Sequence, residues 1–195
     1  MSDVLIAAPL RLEALLIASA ARGARVHRTG MGPRRSQTAA RSLTAAPGDA
    51  LLVLGFCGGL DEQSRPGEVI VAEEVLAATD EGHSPLEIRC EGVTTITAAL
   101  QGSGLQVRRG RVVCVGKLAL GERRAELLAG GAMAVDMESA WLAAGAGDRP
   151  FGVVRVVLDS PSHELMRPQA AAGAVRAARA LRKVAGALHD WAPGD

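Results

Sequence analysis

Ala50-Leu51-Leu52-Val53-Leu54-Gly55 is an apolar run with no polar alternation, and it passes straight into Phe56-Cys57-Gly58-Gly59. A run of that length reads as a strand buried on both faces, so the chain must supply helical layers on either side of a sheet. Val4 to Ala8 and Phe151 to Leu158 repeat the pattern, and Glu68 to Leu76, Arg111 to Val115 and Ala132 to Val135 add shorter strands. Between them lie helical patterns: Leu10 to Ala21 with Leu12, Leu15 and Leu16 on one stripe, Pro33 to Leu43, Thr94 to Leu100, Gly121 to Ala129, Ser139 to Ala146, and Pro168 to Trp191. Ala24 to Arg28 reads as a further strand and residues 77 to 92 as polar and irregular. Pro193-Gly194-Asp195 reads as a frayed tail. Strands alternating with helices predict an α/β fold: a single three-layer α/β/α domain over residues 1–195 with a central mixed, largely parallel sheet.

The 195 residues suit one domain. Charges nearly cancel, 22 Lys+Arg against 21 Asp+Glu, which argues against a nucleic-acid binder. Hydrophobic residues make up 48% of the chain, which excludes disorder. Aromatic residues are 2%, too few for a base-stacking surface. Cys57, Cys90 and Cys114 are far apart, and His27, His83, His163 and His189 are scattered. No disulfide framework, redox pair or metal cluster is expected. Without a signal peptide or a span-length apolar run, the expected location is the cytoplasm.

In an open α/β sheet, ligands bind beyond the strand carboxyl ends, and unusual residues gather there. Gly30-Met31-Gly32 precedes a helix and could present amides to an anion, or could simply form a tight turn. It fits neither a P-loop nor a dinucleotide motif. Gly55 to Gly59 reads as a loop that allows close backbone approach to a ligand. Cys57 within it reads better as a small buried hydrophobe than as a nucleophile. Asp136-Met137-Glu138 reads as a helix start, where a carboxylate is ordinarily a cap. Asp159 is a lone carboxylate at the end of an apolar strand, suited to a general acid or to a simple turn cap. Arg155, inside that strand, must meet a carboxylate. The basic C-terminal helix, with Arg176, Arg179, Arg182 and Lys183, reads as a packed helix with a solvated outer face.

In order and spacing these motifs resemble the nucleoside phosphorylase and methylthioadenosine/S-adenosylhomocysteine nucleosidase superfamily. The resemblance runs from Ala8–Leu16 through Gly30-Met31-Gly32, Gly55–Leu60, Arg65-Pro66-Gly67-Glu68 and Val135-Asp136-Met137-Glu138-Ser139-Ala140 to Val153–Asp159. Gly30-Met31-Gly32-Pro33 and Val115–Leu120 look most like the hopanoid-associated, adenosylhopane phosphorylases. The resemblance implies cleavage of an adenine nucleoside's N-glycosidic bond. Met137 and Glu138 would hold ribose, and Asp159 would assist the departing purine. Gly30, Gly32, Phe56, Cys57, Gly58 and Leu118 would contact substrate.

The acceptor stays open. Arg11 and Arg34 would bind phosphate as co-substrate in a phosphorylase, whereas Glu13 would activate water in a hydrolase of the methylthioadenosine or futalosine type. Val53 and Phe56 stand where many phosphorylases carry an arginine and a Ser or Thr. The resemblance further implies no metal or organic cofactor, a small-molecule nucleoside partner with a lipid-linked 5′ substituent, and a homodimer. A non-catalytic nucleoside-binding domain is the reading from another class.

Overall fold

The computed structural model describes residues 3–78, 86–163, 170–189 and 191. The chain runs β1 (Val4–Ala8), α1 (Arg11–Ala20), β2 (Arg25–Arg28), α2 (Pro33–Ala45), β3 (Ala50–Gly59) and β4 (Val69–Ala77). It continues through β5 (Leu86–Arg89), α3 (Val93–Gly102), β6 (Val107–Cys114), α4 (Glu122–Ala129) and β7 (Ala132–Asp136). It ends with α5 (Ser139–Ala143), a 3₁₀ turn over Ala144–Ala146, β8 (Phe151–Asp159) and α6 (Ala170–Leu188). The expected irregular stretch over 79–85, the helix start at Pro168 and the tail Pro193–Asp195 lie outside the described residues.

The strands form one mixed sheet in the order β2-β1-β3-β7-β6-β4-β5, with β8 between β3 and β4. Parallel pairings join β1 to β2 and β3, β3 to β8, β4 to β6 and β6 to β7. Antiparallel pairings join β3 to β7, β4 to β5 and β4 to β8. The pairings β3–β8–β4–β6–β7–β3 close into a ring, so the sheet curls on itself at the strands that carry the candidate residues.

Successive residues of β3 feed opposite faces, which is why no alternation appears in its sequence. Leu51 and Val53 join one apolar cluster with Ala39 and Leu43 of α2 and Leu142 of α5. Leu52 and Leu54 join another with Ile17 of α1, Ile96 and Leu100 of α3, and Leu181 and Val184 of α6. Helices therefore cover both faces, and the mixed, largely parallel α/β expectation holds. Arg176, Arg179, Arg182 and Lys183 sit on the exposed face of α6. Among the described residues no helix is long and apolar enough to cross a membrane.

Four local expectations are corrected. Residues 55–59 are not a loop, because β3 continues to Gly59 and pairs with both β7 and β8. Asp136, read as a helix start, instead closes β7, while the helix begins at Ser139 as expected and ends at Ala143 in a 3₁₀ turn. The stretch read as irregular contains β5, a charged edge strand on β4. The stripe on α1 is turned: Leu12 and Leu15 are 57% and 59% exposed, while Ile17 and the charged Glu13 face inward. The Glu13 carboxylate provides the reason, since two backbone amides draw it into the protein.

Candidate functional site

Glu13 leaves the first turn of α1 and accepts from the Leu10 amide at 2.6 Å through Oε2 and from the Phe56 amide at 2.6 Å through Oε1. It thus ties the end of β1 to the middle of β3. Gly55 is the residue that permits this approach. A Cβ there would stand 2.6 Å from Glu13 Oε1 and 2.9 Å from Arg155 Nη1.

Arg155 is the hub. It is completely buried in β8 and pairs with Asp136 at 2.7 Å and Glu138 at 3.9 Å. Its Nε and Nη2 also donate to the Ser139 hydroxyl at 3.2 and 2.9 Å. That hydroxyl in turn donates to Asp136 Oδ2. Burial alone would lower the guanidinium's pKa. Asp136, Glu138 and Glu13 together outweigh burial and push it up, so Arg155 stays charged.

Asp136 Oδ1 accepts from the amides of Glu138 and Ser139 at 3.1 and 3.2 Å, which shapes the sharp turn from β7 into α5. Glu138 is aimed back across the site, where its Oε1 accepts from the Gly32 amide at 3.0 Å. Gly32 caps α2 with φ at 87°, a conformation that favours glycine. Burial pushes the Glu138 and Glu13 carboxyls upward, with Arg155 and the amide bonds offsetting part of the shift.

Asp159 closes β8 opposite Gly58 of β3, just past a register shift, and Gly58 also faces Val135 of β7. The expectation of a lone carboxylate is corrected here. Arg124 of α4 donates from Nη2 to Asp159 Oδ2 at 2.6 Å and from Nε to the Ala119 carbonyl at 3.0 Å. Among the described residues no side chain takes Asp159 Oδ1. A Cβ at Gly58 would lie 2.9 Å from Arg124 Nη2, so that glycine makes room for the arginine.

The remaining expected residues divide. Phe56 is half-buried beside the Glu13 amide bond. Cys57 packs in the core, and burial pushes its thiol upward, the condition of an inert cysteine. Met137 packs against the small apolar cluster that includes Leu60, Val113 and Val135. Leu118 is exposed, on a segment whose Gly116 faces Pro33 of α2. Arg11 and Arg34 line adjoining grooves, with Gly30 lining the one that holds Arg11. Among the described residues no group of His, Cys, Asp and Glu is arranged to hold a metal ion.

The structure therefore brings Glu13, Gly32, Phe56 and Glu138 into one network around Arg155, with Asp159 one strand-end away. Sequence reasoning gave Arg155 a carboxylate partner but not its place as hub. Nothing in Gly121-Glu122-Arg123-Arg124 distinguishes the buried arginine from the exposed one.

A family model described as the phosphorylase superfamily matches residues 20–187. Among solved structures, the methylthioadenosine/S-adenosylhomocysteine nucleosidase of Neisseria meningitidis, in complex with methylthio-immucillin-A, aligns with a TM-score of 0.80 and 18% identity. The alignment covers 98% of this chain and 100% of that one. The corresponding nucleosidase of Campylobacter jejuni gives 0.80 at 13% identity over 98% and 100% of the two chains. The futalosine hydrolase of Helicobacter pylori gives 0.75 at 16% over 96% and 95%. At these identities the likeness speaks for the fold. A comparison with curated proteins finds no match.

Proposed function

The chain belongs to the phosphorylase superfamily, and on that premise we propose that it cleaves the N-glycosidic bond of an adenine nucleoside. One observation carries the reading. A buried Glu138 is held by the Gly32 amide and the Arg155 network, and a second carboxyl group, Asp159, stands at the end of β8, across Gly58 of β3 from the end of β7.

Cleavage of such a bond builds positive charge on the sugar and negative charge on the leaving base. Fixed, buried carboxylates stabilise the first, and a hydrogen-bonding or proton-donating acid relieves the second. In this reading Glu138 accepts from the ribose hydroxyls while Met137 packs on the sugar. The Oδ1 of Asp159 faces purine N7, since Oδ2 is occupied by Arg124. Phe56, Gly58, Gly30 and Gly32 line the path between sugar and base. These steps call on no metal or organic cofactor.

For the acceptor we propose phosphate, entering by the groove that Arg11, Gly30 and Met31 line. Exposed Met31, Leu118 and Leu120, at 53%, 69% and 60%, support an apolar, hopanoid-type 5′ substituent. Hydrolysis is the second reading, and Glu13 favours it. Burial raises its pKa above the ordinary carboxylate value, the direction a general base needs, and it lies in the same network as Glu138. The exposed Leu12 and Leu15 support a homodimer that covers α1. The three unpaired, buried cysteines support the reducing cytoplasm.

The experiment is release of free adenine from adenosine, methylthioadenosine and a 5′-alkyl adenosine by the purified protein, with and without phosphate. Phosphate-dependent release is expected, favouring the 5′-alkyl substrate. Phosphate-independent release selects Glu13 and water. Saturable binding with no release from any substrate overturns the enzymatic reading in favour of a nucleoside-binding domain.

A further inference from the structure

Every residue of α6, from Ala170 to Leu188, is Ala, Gly, Val, Leu, Arg or Lys. The helix therefore carries no acid and no uncharged polar side chain. Its inward stripe, which includes Ala177, Leu181, Val184 and Leu188, is buried. The opposite stripe is Ala172, Val175, Arg176, Arg179, Arg182 and Lys183, and all six are exposed. At 3.6 residues per turn those positions fall within about a third of the helix circumference. The four cations therefore share one outward face.

The helices beside α6 add no exposed anion. Leu181 and Val184 enter one apolar cluster with Ile17 of α1 and with Ile96 and Leu100 of α3, so the three helices form one layer. α3 contains no acidic residue, and the single acid of α1, Glu13, is buried. Helix stability does not select such a pattern. Arg179 has like charges three residues away at Arg176 and Arg182 and four away at Lys183, and each such pair is destabilising. The last turn of α6 holds no basic residue, so the helix dipole offsets none of this. A solvated outer face ordinarily mixes both signs of charge. This one offers only cations and small apolar side chains, the composition of a helix that lies on an anionic interface.

We propose that the outer face of α6 docks the protein on an anionic lipid bilayer. The helix lies flat on the surface, with Arg176, Arg179, Arg182 and Lys183 at the headgroup phosphates and Ala172 and Val175 between them. Charge complementarity carries the docking, so it is reversible and sensitive to salt. Among the described residues no helix is long and apolar enough to insert across the bilayer. Nucleic acid would meet the same charges, but the stripe has no aromatic ring for stacking and no amide or hydroxyl for phosphate and base contacts. The docking uses α6 and leaves Leu12 and Leu15 of α1 to the proposed dimer contact.

Co-sedimentation of the purified protein with vesicles tests this without any turnover. Binding is expected to vesicles of mixed phosphatidylglycerol and phosphatidylcholine, and not to phosphatidylcholine alone. It is expected to weaken at least about tenfold as salt rises from about 0.05 M to about 0.5 M. Arg179→Ala is expected to weaken it about fivefold, and Arg179→Ala with Arg182→Ala about thirtyfold, for one and two cations removed from an anionic surface. Alanine keeps the helix, which circular dichroism verifies. Arg41→Ala with Arg123→Ala removes the same charge from exposed positions on α2 and α4 and is expected to change nothing. Equal binding to neutral vesicles, no binding to anionic ones at low salt, or equal weakening by the control pair overturns the proposal. Binding to a nucleic-acid duplex through the same α6 residues, with anionic vesicles ignored, overturns it as well.

Discussion

Arg124 and Asp159 form a buried ion pair, 2.6 Å from Nη2 to Oδ2, that ties α4 to the end of β8. The side chains are only 5% and 12% exposed, so each charge depends on the other. Removing one partner of such a pair leaves an uncompensated buried charge, at a typical cost of about 3 kcal/mol or more. Arg124→Met is therefore expected to lose about 3 kcal/mol in urea denaturation. An unchanged midpoint would mean that the pair contributes nothing to the fold.

Asp159→Asn removes the carboxyl while keeping its size and an acceptor for Arg124. Nucleoside binding is expected to persist while turnover falls by about 10²-fold or more, the usual contribution of a positioned acid. Steady-state kinetics with equilibrium binding separates the two effects. Full turnover in this variant would remove Asp159 from the reaction.

Glu138→Gln preserves an oxygen for the Gly32 amide and discards the negative charge. Its fold is expected to be retained by circular dichroism, with kcat/KM strongly reduced, because the lost interaction strengthens as charge builds on the sugar. Wild-type kinetics would sink the ribose assignment.

Glu13 gives a pH signature. Its carboxyl is raised above the ordinary value of 4.5, with burial as the main cause. The folded chain therefore holds this proton at pH values where the unfolded chain has released it. The stability from the group is complete below the ordinary value and is lost as pH rises through the raised one. Glu13→Gln cannot titrate. The difference in unfolding free energy, wild type minus variant, is thus expected to be larger at pH 5 than at pH 8. A difference that grows with pH would contradict a carboxyl raised by burial.

Much of the fold was readable because its central strands are buried on both faces. β1, β3 and β8 announce themselves as unbroken apolar runs, and Gly30-Met31-Gly32-Pro33 marks the start of α2. The reading failed where tertiary partners override local pattern. The first half of β6, Val107-Arg108-Arg109, looks unlike a strand because its arginines meet Asp61 and Glu73 only after folding. β5 is short and charged for the same reason, being an edge. On α1 the leucines suggested the inward face, yet amides from Leu10 and Phe56 turn Glu13 inward instead. Arg155 was legible as a charge in need of a partner, since a lone arginine in an apolar strand has no other explanation. Arg124 was not, because its sequence neighbourhood is that of any charged surface helix.

The central claim is that the site breaks a glycosidic bond, and the sugar product tests it most directly. A 5′-substituted adenosine would be incubated with the protein, phosphate and ¹⁸O-labelled water, and the products weighed by mass spectrometry. The account predicts free adenine and an unlabelled sugar 1-phosphate. An ¹⁸O-labelled free sugar would keep the bond cleavage and transfer the acceptor role to water at Glu13. Recovery of the intact nucleoside across the whole substrate panel would contradict the account.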